Sequence, residues 1–332
     1  MGWKGTLRAW GSVANSISRD SRRRQRELEQ RAKYINKLQE IERNQLEVEQ
    51  YENYMDRLIS IHKECSNTIN WNSIKASQPP KKPDPTNVNE DFARKQLQDY
   101  KPNIFAKLFK LDKKKISQLQ IKLESAIEED KIENEKILQE YTDELNGYNL
   151  IIQIADQIIS KNLEGYKNAI SEINPFEEIK ELGSSLDASF INENLSQINF
   201  YIHDKKVIPT HIKNLLKSGK VSVKEMPNSK SNEIYQDYVC SAMLRIAREM
   251  FAILPIKMVA ITAIGSILNE STGYKNEVPI LSAAIPKETL EALNLETIDP
   301  SSSFSNFLNN MSFSKTTGFK EVKSIDVNSI SI

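Results

Sequence analysis

Apolar residues in the first half of the chain recur at helical period, and those in the second half mix period two with shorter helical runs. Val48, Tyr51, Met55, Leu58, His62 and Cys65 follow alternating steps of three and four, which places them on one stripe of a helix. The spacing predicts a helix from about Ser18 to Asn70. Its seam is poor, because Tyr, His and Cys stand where Leu or Ile packs best. A helix end is expected near Trp71, and Gln78–Asp84 is a breaker, since its prolines remove backbone donors and restrict the residues before them. A short helix over Glu90–Tyr100 and an amphipathic piece carrying Ile104, Phe105, Leu108, Phe109 and Leu111 lead to a second long helix, Lys115 to Lys161. That helix carries Ile137, Tyr141, Leu145, Tyr148, Ile152, Ala155 and Ile159 on one stripe, while its charged early part, Glu124 to Glu135, is expected to face solvent. Two long helices joined by a broken connection most simply form an antiparallel hairpin with arms on the order of 70 Å, at 1.5 Å per residue. A parallel or intermolecular pairing stays open.

After Asn174–Pro175 the texture changes. Phe190, Ile198, Phe200 and Ile202 alternate with polar residues around a turn at Asn192–Asn194, so two strands are expected there. Further strands are expected at Val207–Ile208, Val221–Val223, Met258–Ala263, Pro279–Ile285, Met311–Ser314 and Phe319–Val322. Helices are expected at Thr210–Lys217 (stopped by Gly219), Ser231–Leu254, Lys287–Leu293 and Pro300–Asn309, the last capped by Asp299. The fold class is therefore α+β: a long antiparallel helical hairpin followed by a mainly antiparallel-sheet α+β domain. The corresponding division is a basic amphipathic arm over 1–26, a helical hairpin over 27–182 with a Pro-rich connection at 78–102, and the α+β domain over 183–332.

Charge sharpens this division. The net charge of zero conceals blocks: residues 1–26 hold seven Lys/Arg against one acid, whereas 117–182 hold six against fifteen. The apolar fraction of 39% is ordinary, and no window approaches the roughly 18 consecutive apolar residues of a membrane span, so integral membrane insertion is not expected. The N-terminal stretch has no apolar block of secretory type, and Cys65 with Cys240 makes no disulfide framework, so a cytoplasmic location is expected.

The stretch from Tyr235-Gln-Asp-Tyr-Val-Cys240 through Ile298-Asp-Pro-Ser301 and Thr317-Gly-Phe319 resembles an uncharacterised group of bacterial proteins. So do the Trp3…Arg22-Arg-Arg24 opening and Val48-Glu-Gln-Tyr-Glu-Asn53. The resemblance implies coiled helices followed by a C-terminal α+β domain, and brings no activity, ligand or catalytic residue with it.

Two places carry candidate chemistry. Trp3, Leu7, Trp10, Ala14 and Ile17 form one helical face, followed at once by Arg19, Arg22, Arg23, Arg24 and Arg26. Apolar residues beside clustered guanidinium groups suit docking on the chain itself or on a protein partner, a nucleic-acid backbone, or membrane headgroups. On the Ser231–Leu254 helix a narrow polar strip, Asp237, Ser241, Arg245, Arg248 and Glu249, interrupts a wide apolar arc. Its arginines could hold an anionic ligand in a cleft, but i, i+4 pairing of Arg245 with Glu249 on an exposed strip explains it as well. Lys107, Lys110, Lys113, Lys114 and Lys115 form a second basic run, read as a solvated helix start. His62 and Cys65 supply half a zinc site without a second half and read as packed core, and His203 with Asp204, or His211, stands near no marked nucleophile. Phosphate-loop, dinucleotide, zinc-protease, nucleophile-elbow and CxxC patterns are absent, so no catalytic residue, metal or cofactor is assigned. The expectation is a non-enzymatic binding or scaffold protein that engages a protein partner, itself, or an anionic surface. The alternative is a nucleic-acid-binding or -processing protein with its site in the C-terminal domain.

Overall fold

The computed structural model describes residues 3–101, 111–177, 185–268 and 271–330; the side chains of residues 3–29, 32, 111 and 112 lie outside that description. The chain forms two compact units, Met1–Thr68 together with Pro175–Ile332, and Ile69–Asn174. The boundaries differ from the 27–182 and 183–332 division expected from periodicity, because the first long helix has its packing partners in the C-terminal part of the chain.

The discontinuous unit begins with α1 (Trp3–Ser60), which passes into a single 3-10 turn over Ile61–Lys63. Its C-terminal part holds a mixed α+β arrangement. Strands β1 (Ser185–Asn192) and β2 (Leu195–Tyr201) form an antiparallel hairpin. The chain then makes a second antiparallel hairpin, β3 (His211–Leu215) with β4 (Val221–Glu225), and enters α6 (Asn228–Ile253). It returns as β5 (Met258–Leu268) parallel to β2, and β6 (Lys275–Pro286) and β7 (Leu308–Met311) complete a five-stranded sheet in the order β1-β2-β5-β6-β7. Three of the four pairings are antiparallel, so the sheet is mainly antiparallel.

A parallel pair needs a crossover, and α6 supplies it. The helix is buried along most of its length, including Tyr238, Val239, Met243, Leu244, Ile246 and Met250. Ile198, Ile261 and Ala283 stand opposite one another on β2, β5 and β6, all at 0% exposure, and form one line of the core. On the other face the neighbouring pair Thr262 and Ser282 shares a hydroxyl hydrogen bond of 2.9 Å, and the N–H of Ile325 donates to Ser282 Oγ at 3.0 Å. Pro279 sits inside β6 beside a register shift at Ala263/Ile264, where a strand tolerates a residue without an N–H.

A helix stopped by Gly219 is expected over Thr210–Lys217, but that segment holds β3, and Val207 ends a 3-10 turn rather than starting a strand. The β3–β4 hairpin gains its partner from α1. Lys213 Nζ meets Glu47 at 2.8 Å, and Asn44 Nδ2 donates to Gly219 O at 2.8 Å. Gly219, in the hairpin turn, has φ +78°, and a Cβ there would lie 2.6 Å from Ile41 Cγ1, so both conformation and space require glycine.

The second unit is built on α4 (Leu111–Ile159). Its antiparallel partner is the broken segment read from sequence as a connection: α2 (Trp71–Lys75), the proline-rich extended stretch, and α3 (Val88–Gln98). Contacts descend α4 as this segment ascends. Lys75 pairs with Asp156 at 2.6 Å, the Tyr148 hydroxyl donates to Ser77 O at 2.9 Å, and Asn134 exchanges two 2.8 Å hydrogen bonds with the Thr86 backbone. Asp130 then accepts the N–H groups of Asn89 and Glu90 at 3.2 and 2.7 Å, capping α3 in place of its own N-cap residue, and those hydrogen bonds hold its carboxyl below the usual range. The charged stretch of α4 expected to face solvent therefore buries Asp130 and Ala126. Helix α5 (Leu163–Ile173) turns back on α4 and ends at Asn174, whose left-handed φ of 45° precedes Pro175. Among the described residues no helix is long and apolar enough to cross a membrane.

Gly219→Ala should destabilise the chain by more than the roughly 1–2 kcal/mol that a left-handed residue with a Cβ costs by itself, because the Cβ also meets Ile41. In an Ile41→Ala background the added cost should shrink, leaving only the backbone part, as measured by urea unfolding.

Candidate functional site

The five polar strip residues of α6 follow one another along one side of the helix, and the structure places a segment of the chain against each of them. Asp237 faces α7 (Pro300–Ser303), where it meets the hydroxyl and N–H of Ser301. Burial raises its carboxyl above the usual range, and the nearby Asp299 adds to this. Asp299 itself is held low: burial opposes this, but the N–H of Ser302 at 2.8 Å and the Ser301 hydroxyl at 2.9 Å outweigh it.

Ser241, fully buried one turn on, meets His62 at the end of α1. Ser241 Oγ accepts the His62 N–H at 3.0 Å and lies 2.8 Å from Nδ1, while Nε2 is 3.1 Å from Leu295 O. A carbonyl only accepts, so Nε2 carries the ring proton, and the serine hydroxyl donates to Nδ1. Burial pushes His62 below the ordinary histidine value; Lys63 and Arg248 act the same way, against the Leu295 carbonyl and Glu296. The ring is held neutral, with both nitrogens satisfied.

The next turn carries the ion pair expected from sequence, Arg245 Nε to Glu249 Oε1 at 2.6 Å. It is not on an exposed strip: the two side chains are 8% and 0% exposed, because the segment following α1 lies over them. The Ser66 N–H donates to Glu249 Oε1 at 3.1 Å, and Glu64 lies 3.7 Å from Arg245 Nη1. The Cys65 thiol sits here too, pushed up by burial and then by the Glu249 charge. Arg248 donates through Nη1 to the carbonyls of His62 and, at 3.0 Å, of Lys63, a guanidinium closing the carbonyl end of a helix. It also borders a small cleft of about 270 Å³ with Cys65, Phe251 and Leu290.

The strip is thus a receptor for the chain's own segments, and its chemistry holds α1 rather than an open cleft. His62, read from sequence as packed core, is buried, but as a hydrogen-bonded latch. His203 is exposed, while the Asp204 carboxylate is engaged by Lys275 at 2.9 Å and by the N–H of Lys206, so the two do not form a base with its orienting acid. His211 is exposed and pairs with Thr210. Arg19, Arg22, Arg23, Arg24 and Arg26 fall within α1, but their side chains, with Lys107 and Lys110, lie outside the described residues. Lys113, Lys114 and Lys115 are exposed.

Sequence reasoning passed over one place, the opposite end of α6. Lys205 Nζ lies 2.5 Å from Asn228 Oδ1 and 2.6 Å from Asn232 Oδ1, between two clefts of about 570 and 610 Å³. A lysine beside two asparagines at i, i+4 in the first turns of a helix was a legible signal only once β2 and α6 were known to meet. Comparison of the chain with family models, curated proteins and solved structures finds no match.

Ser241→Ala would leave the buried His62 N–H and Nδ1 without their partner, and should cost about 1–3 kcal/mol in urea unfolding. The pH dependence has a defined sign. With its folded pKa below the ordinary 6.5, His62 contributes stability that is full above that value and is lost as pH falls through it towards the lowered folded value, because the unfolded chain binds the proton first. Unfolding of His62→Gln, compared with the native chain between pH 7.5 and 5.5, should show a flatter decline.

Proposed function

We propose that the chain acts by binding rather than catalysis, and that α1 is the element that meets the partner. The observation supporting this reading is the course of one largely apolar stripe, interrupted at Gln45. Tyr34, Leu38, Ile41, Gln45 and Val48 alternate steps of four and three along α1. Val48 is buried and Ile41 rests against Gly219, yet every described side chain from residue 30 to 40 is exposed. Tyr34 is 65%, Ile35 53% and Leu38 48% exposed. The spacing that serves the contact with β3 and β4 continues beyond it with nothing over it among the described residues.

An aromatic and two aliphatic side chains at coiled-coil spacing are suited to a partner helix. A second copy of the chain is the simplest occupant, since a two-fold axis sets the stripe against itself. Arg19, Arg22, Arg23, Arg24 and Arg26 lie further along the same helix and would add an anionic contact to the same arm. The latch at His62 and Arg248 favours this role, because it gives the arm a fixed base.

Sedimentation of the full chain over a wide concentration range should reveal a reversible dimer. Tyr34→Glu with Leu38→Glu, both at exposed positions, should weaken it at least roughly tenfold, the equivalent of about 1.4 kcal/mol, without changing the melting temperature. A native chain that stays monomeric throughout would rule out self-association as the role of α1.

A further inference from the structure

Among the described residues, Lys205 meets neutral oxygen alone through its ammonium. It stands in the 3-10 turn Lys205–Val207 after β2, with its ammonium between the side-chain carbonyls of Asn228 and Asn232. Its neighbours are matched: Lys275 with Asp204 at 2.9 Å, Lys206 with the same carboxylate at 3.8 Å, and Lys315 with Glu233 at 2.5 Å. Among the described residues no carboxylate lies within ion-pair distance of Lys205. Burial lowers its pKa, with no opposing charge acting on it.

The two asparagines are themselves fixed. Asn228 Nδ2 donates to Thr316 O at 3.3 Å and Asn232 Nδ2 to Lys315 O at 2.8 Å, so each amide orients its oxygen at Lys205 by donating to the loop between β8 (Phe313–Ser314) and β9 (Gly318–Phe319). That loop closes at Gly318, with φ +78°, where a Cβ would come within 3.3 Å of Asn232 Oδ1. Asn232 is 4% exposed, so the ammonium is positioned by built structure.

The 610 Å³ cleft beside it has a lining of unusual composition. Lys205 and Lys320 are its charged residues among those described, and no described Asp or Glu borders it. Asn232, Ser266 and Thr317 supply polar groups, and Ile280, Leu268 and Phe319 an apolar wall. The Phe319 ring is set edge-on against Tyr235 at 5.9 Å, and the Tyr235 hydroxyl is engaged with His203 O at 2.7 Å. A cleft with two cations, no anion and an aromatic wall is complementary to a small molecule with an anionic head and an apolar body. Lysine is a point charge that suits a phosphate or carboxylate oxygen without demanding a bidentate approach.

We infer that this cleft is a binding site for a small organic anion, its phosphate or carboxylate head on the Lys205 ammonium and its apolar body against Phe319 and Ile280. The site lies in the C-terminal domain and is independent of the role proposed for α1.

Phenyl phosphate and benzoate, titrated by calorimetry into the full chain at low salt, test the two head groups, and inorganic phosphate tests the head alone. One-to-one binding of at least one aromatic anion is expected, tighter than inorganic phosphate because of the wall. Lys205→Met keeps the stem and removes the charge, and should weaken that binding at least roughly tenfold, the effect of one charge-assisted contact; Lys205→Arg should retain most of it. Phe319→Leu should weaken the aromatic anion but not inorganic phosphate. Circular dichroism of each variant checks the fold, and in case Lys205→Met unfolds, Lys320→Met with Phe319→Leu supplies the same comparison from the cleft's other side. No heat from either aromatic anion up to about 10 mM, a value weaker than the millimolar range of a single ionic contact, or binding unchanged in folded Lys205→Met, would overturn the assignment.

Discussion

The contact between the end of α1 and the polar strip of α6 is the constraint on which the larger unit depends. A long helix with a weak seam gains little from its own propensity and must bury its stripe against something. Here the stripe lies on the β3–β4 hairpin and on α6, and its last turn is closed by donors and acceptors that α6 presents. Ser241, Arg245, Arg248 and Glu249 are poor residues for a buried helix face taken one at a time. Ser241 satisfies the N–H and Nδ1 of His62, Arg248 the carbonyls of the 3-10 turn that follows α1, and Glu249 the N–H of Ser66. The buried Glu249 charge is set against Arg245, which offsets part of its desolvation, and the geometry fixes where α1 ends. The same polar residues that specify the latch would penalise any shift of α1 along α6, since a slip of one turn would strand each of them.

Much of the architecture was legible from local pattern. The long helices, the breaker at Gln78–Asp84, the Asn192–Asn194 turn, the Asp299 cap and the central helix over Ser231–Leu254 all follow from period, proline and capping chemistry. What was not legible depends on partners distant in sequence. Thr210–Lys217 carries no period that separates helix from strand, and only pairing with β4 and the approach of Glu47 decide it. Charged residues between Glu124 and Glu135 gave no sign that Asp130 would cap another helix. The partner of α4 was hidden for a related reason: an extended proline-rich stretch can pair through Thr86 and Ser77 backbone groups, which leave no trace in side-chain pattern.

The strip on α6 illustrates the same limit at the level of function. Its residues suggested either a ligand cleft or a solvated face, and spacing does not distinguish these from a third case, an internal receptor. The residue that matters at the opposite end, Lys205, bears no motif. Its distinction is electrostatic and appears only when Lys206, Lys275 and Lys315 are matched to their acids and Lys205 is seen to face amide oxygens.

The division of the chain has a consequence in time. His62 and Ser241 are separated by 179 positions, and Arg248 by 186 from the carbonyl it closes. At the usual synthesis rate of about 5–20 residues per second, the stripe of α1 is made roughly 10–40 s before the helix that receives it. The residues between, 69–174, form a compact unit whose contacts are internal, and all of them are made in that interval. During it, Val48, Leu58 and Ile61 lack the cover that α6 later gives them, so the nascent chain is open to misassociation until α6 has been made, and a chaperone that recognises apolar helical stripes would find its target there.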